Sequence, residues 1–143
     1  MDVNEELVWQ RVRGEAQLPE PERIGAEWTD AAAYLNLSRR MSGRESALLY
    51  RMFREEQTHA ACLKGIYALC AGKRPAYRTE KLPQMPVAQM LRWCYGREMR
   101  SLSVYESRVT HPEYGHVFAR MALQEREHCR ILLELLGNLP AQE

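Results

Sequence analysis

The stretch LYRMFREEQTHAACLKGIYALC, residues 49–70, places Leu49, Met52, Glu56, His59, Leu63, Ile66 and Cys70 at alternating steps of three and four. On an α-helix that rhythm lines one face, the face a bundle turns inward. Two residues on it, Glu56 and His59, are polar. The stretch FARMALQEREHCRILLELLGNL, residues 118–139, repeats the pattern with Phe118, Met121, Glu125, His128, Leu132, Leu135 and Leu139, so a second Glu-x-x-His falls in the same register 69 residues later. A carboxylate in an apolar seam costs on the order of several kcal/mol unless it is paired or liganded. Two such motifs on two seams therefore call for a common partner.

Two further helices each supply a single glutamate. Ile24, Glu27, Ala31, Tyr34, Ser38 and Met41 form one stripe, and Leu91, Tyr95, Glu98, Leu102, Tyr105 and Val109 another. Punctuation sets the bounds. Pro21 suits the first turn of a helix running to Met41, and Ser42-Gly43-Arg44-Glu45 reads as a capping box for a second helix reaching about Ala71. Pro86 opens a third helix to about Val109, and Thr110-His111-Pro112-Glu113 caps a fourth that ends near Gly137. Residues 72–86 hold Pro75, Pro83 and Pro86, a cluster of Lys and Arg and no apolar period, which marks a connector. Residues 1–20 read as a leader with a short amphipathic helix over Glu5–Gln17, residues 21–137 as one domain, and residues 138–143 as a tail. With no sustained period-two alternation and no Asn-Gly or Asp-Gly hairpin, the expected fold is all-α, a four-helix bundle.

Composition narrows the function. The 143 residues carry 20 Lys+Arg against 19 Asp+Glu, a formal charge of +1, so no overall field favours nucleic acid or an anionic membrane. No basic-then-apolar leader and no apolar run near 18 residues occurs, and a cytoplasmic protein is expected. Cys62, Cys70, Cys94 and Cys129 form no Cys-x-x-Cys pair, so zinc-knuckle, dithiol and rubredoxin-type sites are not expected; reduced, partly buried thiols are.

Four glutamates on core-facing stripes, without a Lys or Arg on any of those stripes, require positive charge from elsewhere. Two divalent cations balance four carboxylates with two neutral imidazoles. One Glu from each of two helices and a Glu-x-x-His from each of two others is the donor set that four-helix-bundle di-metal carboxylate proteins project into their core. The candidate ligands are Glu27, Glu56, His59, Glu98, Glu125 and His128. Oxygen-rich ligation with one imidazole per metal suits iron or manganese. A lone Glu-x-x-His is more often a solvated face or a capped histidine; the second copy in register, with a matched upstream glutamate, is what favours a site. Tyr34 and Tyr105, each seven residues after its glutamate, read either as hydrogen-bond donors to a ligating carboxylate or as core packing. Tyr95 is a weaker candidate for the same role. His111 and His116 lie off the stripe and read as a capping and a surface residue, and Trp9, Trp28 and Trp93 show no cofactor-box spacing.

The pattern Glu27-x6-Tyr34 with Glu56-x-x-His59, then Glu98-x6-Tyr105 with Glu125-x-x-His128, resembles the ferritin-like superfamily and within it the rubrerythrin erythrin domain, over about residues 21 to 137. That resemblance implies an up-down-down-up bundle with a long crossover between the second and third helices. It also implies halves related by a pseudo-twofold axis, Glu56 and Glu125 bridging two iron ions, and Glu27, Glu98, His59 and His128 as terminal ligands. The connector agrees: a helix of about 29 residues spans roughly 43 Å, and about 15 extended residues reach roughly 50 Å. Such a taut link also permits exchange of halves, so a homodimer, swapped or not, is expected. The pattern departs from rubrerythrin at Ser101, where the third helix would carry a second carboxylate, and in having no rubredoxin-type cysteine quartet. A chain of this length is also not expected to hold the extra C-terminal helix of cage-forming ferritins. The six-residue set is closer to that of bacterioferritin and ferroxidase centres.

The functional expectation is a non-haem di-iron, or di-manganese, oxidoreductase that reduces peroxide or dioxygen with electrons from a separate protein. The alternatives are a ferroxidase, iron-handling or oxidant-sensing protein without fast turnover, and a bundle whose metal is structural.

Overall fold

A computed structural model describes residues 20–140. Four helices follow one another: α1 (Pro21–Arg40), α2 (Gly43–Ala71), α3 (Val87–Glu106) and α4 (Gly115–Asn138), with no strand among the described residues. The leader helix expected over Glu5–Gln17 lies outside the described residues. The helices pack in pairs, α1 on α2 and α3 on α4, and the pairs meet through α1 with α3 and α2 with α4. No described helix is long and apolar enough to cross a membrane.

Two apolar clusters fill the interior. One joins Tyr34 and Leu37 of α1, Leu49 and Met52 of α2, Met90 and Leu91 of α3, and Ile131 and Leu135 of α4. The other joins Ile24, Leu63, Ile66, Tyr105, Phe118 and Met121. Along every helix the glutamates of interest fall between the residues of one cluster and those of the other. The first cluster thus gathers the C-terminal half of α1, the N-terminal halves of α2 and α3 and the C-terminal half of α4.

Helix ends follow local chemistry, with three departures from the sequence expectation. Ser42 is the N-cap of α2, but its side chain makes no capping bond; across the turn, Ser38 Oγ donates to the Ser46 carbonyl at 2.9 Å and Ser46 Oγ donates to the Ser38 carbonyl at 2.7 Å. Gly43 follows at φ +61°, a conformation that disfavours any residue with a Cβ. The third helix ends at Glu106 rather than Val109, and Val109 is 41% exposed. The fourth starts at Gly115, with Tyr114 as its N-cap, rather than near Pro112: buried His111 holds the preceding turn, accepting from the Glu113 and Tyr114 N–H groups through Nδ1 at 3.1 and 3.0 Å. A Cβ at residue 115 would lie 2.2 Å from the Val109 carbonyl oxygen, so the approach of that turn needs glycine.

The core stripe of α3 also differs. Cys94, Arg97 and Ser101 are buried, whereas Tyr95 and Leu102 are only half-buried. The helix is rotated because Arg97 turns inward to Asp30 of α1, which brings Cys94 and Ser101 onto the seam. The connector lies against α1: the Glu80 N–H donates to Thr29 Oγ1 at 2.9 Å, and Arg97 Nη1 donates to the Glu80 carboxylate at 2.7 Å.

Candidate metal centre

Between the two apolar clusters, Glu27, Glu56, His59, Glu98, Glu125 and His128 are all buried, none more than 1% exposed. Helical spacing puts each glutamate and its histidine, three residues on, on one face of α2 or α4. Their ligand atoms form two groups, each close enough to hold a metal ion. The first is Glu27, Glu56, His59 and Glu125; the second is Glu56, Glu98, Glu125 and His128. Glu56 and Glu125 belong to both.

Distances repeat across the two groups. His59 Nδ1 lies 2.8 Å from Glu125 Oε1 and 3.6 Å from Glu27 Oε2. His128 Nδ1 lies 2.8 Å from Glu56 Oε1 and 3.6 Å from Glu98 Oε1. Each imidazole thus approaches the shared glutamate of the opposite helix and the single glutamate of its own half. These close approaches lack hydrogen-bond alignment, and both Nδ1 atoms are without a hydrogen-bond partner.

The buried atoms left without hydrogen bonds have a definite composition. They include both oxygens of Glu56, both of Glu125, Oε2 of Glu27, Oε2 of Glu98 and Nδ1 of each histidine. The remaining oxygens of the single glutamates are occupied. Tyr34 donates its hydroxyl to Glu98 Oε1 at 2.5 Å, and Tyr105 donates to Glu27 Oε1. Each group therefore offers two shared carboxylates, one terminal oxygen and one imidazole nitrogen, which fits a divalent cation and leaves an orphaned cradle if none is bound. Tyr95 has no such role: it packs at the edge of the first apolar cluster.

Electrostatics points the same way. Burial, then repulsion from Glu125, Glu27 and Glu98 at Glu56 and from Glu98 and Glu27 at Glu125, pushes both carboxyls well above the usual carboxylate range. Burial also opposes ionisation of Glu27, but the protons carried by Glu56 and His59 and the charge of Arg23 hold it down to about 2. Burial works against the His128 imidazolium, yet Glu55, Glu98 and Glu125 raise it to about 10. The acids and imidazoles can share this interior only by borrowing protons, a role two cations would fill.

Several neighbours of the site lie off the four stripes. Arginine does reach the interior from a flanking position. Arg97 Nε donates to Asp30 Oδ1 at 2.5 Å, and its guanidinium stacks 4.6 Å from the Trp93 ring centroid. Burial and the charges of Glu27 and Glu98 push Asp30 up to about 8 despite that pairing. Arg23 Nη2 donates to Ser101 Oγ at 2.9 Å. Behind the histidines, His59 Nε2 is 2.6 Å from Gln124 Oε1 and His128 Nε2 is 3.7 Å from Glu55 Oε1. Glu55 and Gln124 each immediately precede a shared glutamate, so superposing the two repeats would have singled them out. Asp30 and Arg97 have no counterpart in the other half, Ser101 and Ala26 standing there, and no periodic signal marks them. No disulfide joins the described cysteines, of which Cys62 is half-buried and the others buried. His116 is exposed.

No family model matches the chain, and neither a curated protein nor a solved structure does.

Proposed function

We propose that the chain is a dinuclear iron, or manganese, carboxylate protein of ferritin-like, rubrerythrin-like type that reduces peroxide or dioxygen. Glu56 and Glu125, common to both groups of donors, would be shared by the two ions, with Glu27 and His59 holding one and Glu98 and His128 the other. The single observation that carries this reading is the division of buried donor atoms: both oxygens of each shared glutamate and one oxygen of each terminal one lack a hydrogen bond, while the tyrosines take the rest. An up-down-down-up course of the helices is supported by the apolar cluster that gathers the ends of α1 and α4 with the starts of α2 and α3.

When bound, the metal pair supplies open coordination positions and reducing equivalents for the oxidant. The chain does the rest. The tyrosine hydroxyls fix the terminal carboxylates, Gln124 orients His59 so that Nδ1 faces inward with Nε2–H donating outward, and the two apolar clusters keep water from the carboxylates. Electrons come from a separate protein, and the working form is a homodimer.

A ferroxidase or iron-handling reading has one observation in its favour. Ser101, where a rubrerythrin-type carboxylate would lie, is fully buried and bonded to Arg23, so the third helix offers no extra ligand. Anaerobic Fe(II) titration followed by peroxide tests both readings. Two ions bound per chain and a rapid ferric absorbance are expected; a chain that binds no iron refutes the dinuclear centre. Repeated cycles with added reductant favour the oxidoreductase, and arrest after one cycle favours iron handling.

A further inference from the structure

Beside the buried centre, a cleft of about 540 Å3 opens between α2 and α4 and reaches His59 and Gln124. That volume lies within the range of about 300–1,000 Å3 that encloses drug-sized organic molecules, and far exceeds the roughly 30 Å3 that a water molecule occupies in the liquid. Peroxide or dioxygen alone does not call for such a space.

The lining has a consistent chemistry. Its one carboxylate, Glu55, is engaged by Arg51 at 3.2 Å. Exposed Arg54 and Arg120 also line the cleft, and neither guanidinium has an acidic partner among the described residues. Deeper in, half-buried Val117 and buried Met121 give an apolar wall. Two planar cations at the mouth, unpaired among the described residues, match an oxyanion, and the apolar wall matches a hydrocarbon body.

We propose that this cleft binds an amphiphilic organic acid, its oxyanion head at Arg54 and Arg120 and its apolar body against Val117 and Met121, with the far end beside Gln124 and His59. The binding goes beyond the dinuclear reading and does not depend on it; only the statement that the far end faces a metal ligand rests on that reading.

Calorimetric titration of the full chain with decanoate, decyl phosphate and decanol tests it, with metal content measured on the same sample. Expected is one equivalent of decanoate or of decyl phosphate bound, the tighter of the two identifying the head as carboxylate or phosphate, with decanol about tenfold weaker or worse. The R54A/R120A double variant, altered only at exposed positions, should keep its helical content and lose about tenfold in affinity for the acid, the sum of two partly exposed charge pairs. Binding of neither acid, equal binding of decanol, or unchanged binding by the double variant overturns the proposal. Acid binding by a sample that takes up no metal refutes the dinuclear centre alone, and metal uptake without acid binding refutes the cleft alone.

Discussion

The α1–α2 half and the α3–α4 half carry the same acids and imidazoles at the same spacing, but their surroundings differ. On one side, the His59 ring is held by a short bond to the neutral amide of Gln124. On the other, His128 faces the Glu55 carboxylate at 3.7 Å, beyond hydrogen-bond reach. Beside Glu27 stands the buried Asp30–Arg97 pair; at the matching place beside Glu98 stands Ser101, bonded to Arg23. The donors are duplicated, and what orients them is not. Two ions held here would be alike in ligands and unlike in how rigidly their imidazoles are set.

The largest effect separates shared from terminal glutamates. In E56Q or E125Q, metal content should fall from two ions per chain to less than one, because each change touches both groups; E27Q or E98Q should keep one ion. Elemental analysis of the purified variants checks this, and equal losses from all four would remove the bridging role.

Next comes the contrast between the imidazole supports. Loss of a group that orients a ligating histidine costs about 10- to 100-fold in metal affinity. Q124A should lie in that range for the ion at Glu27 and His59, whereas E55A, which removes a contact without hydrogen-bond alignment, should cost several-fold at the other ion. Competitive titration with a metal-binding dye resolves the two steps. Equal penalties would show that the difference between the halves has no energetic meaning.

The pH dependence follows from the direction of each shift. Glu56 and Glu125 are raised, so their burial as charged groups costs stability once pH exceeds the ordinary carboxylate range near 4.5. His128 is raised from 6.5 to about 10, so the stability its proton provides is complete below 6.5 and is lost as pH climbs through 10. Glu27 is lowered to about 2, and its contribution is already complete by pH 5. The raised carboxyls and His128 place the loss on the alkaline side, while Glu27, whose contribution is lost only as pH falls toward 2, changes nothing between pH 5 and 9. The melting temperature of metal-free protein should fall on the order of several degrees between pH 5 and 9, and metal should abolish the fall while releasing protons on binding. A metal-free protein that grows more stable over that range would contradict the assigned charges.

How much of this could be read beforehand varies by residue. The stripes on α2 and α4 were legible because Glu56, His59, Glu125 and His128 sit at whole-turn spacing among uninterrupted apolar residues, and every expected α2 position is buried. On α3, Leu91, Glu98 and Tyr105 are buried as their stripe predicts, but periodicity treats Tyr95 and Leu102 as better core residues than Cys94 and Ser101. A single long-range pair, Arg97 with Asp30, lies on the side of the helix that carries Cys94 and Ser101 inward. That the tyrosines face the glutamate of the opposite half, Tyr34 to Glu98 and Tyr105 to Glu27, is set by how α1 packs on α3 and lies beyond any local pattern.

The smallest effect concerns those tyrosines. Y34F and Y105F each remove one hydroxyl bonded to a buried carboxylate, worth about 1–2 kcal/mol. Denaturant unfolding of the two should give similar losses, while Y105F alone should loosen the ion beside Glu27 and Y34F alone the ion beside Glu98.

The account rests on two cations sharing Glu56 and Glu125, and anomalous scattering from a crystal grown with Mn(II) tests this directly. Two peaks are predicted, both in contact with Glu56 and Glu125, one beside Glu27 and His59 and the other beside Glu98 and His128. A map with no peak among these residues, or with a single peak that touches only one of the shared glutamates, would contradict it.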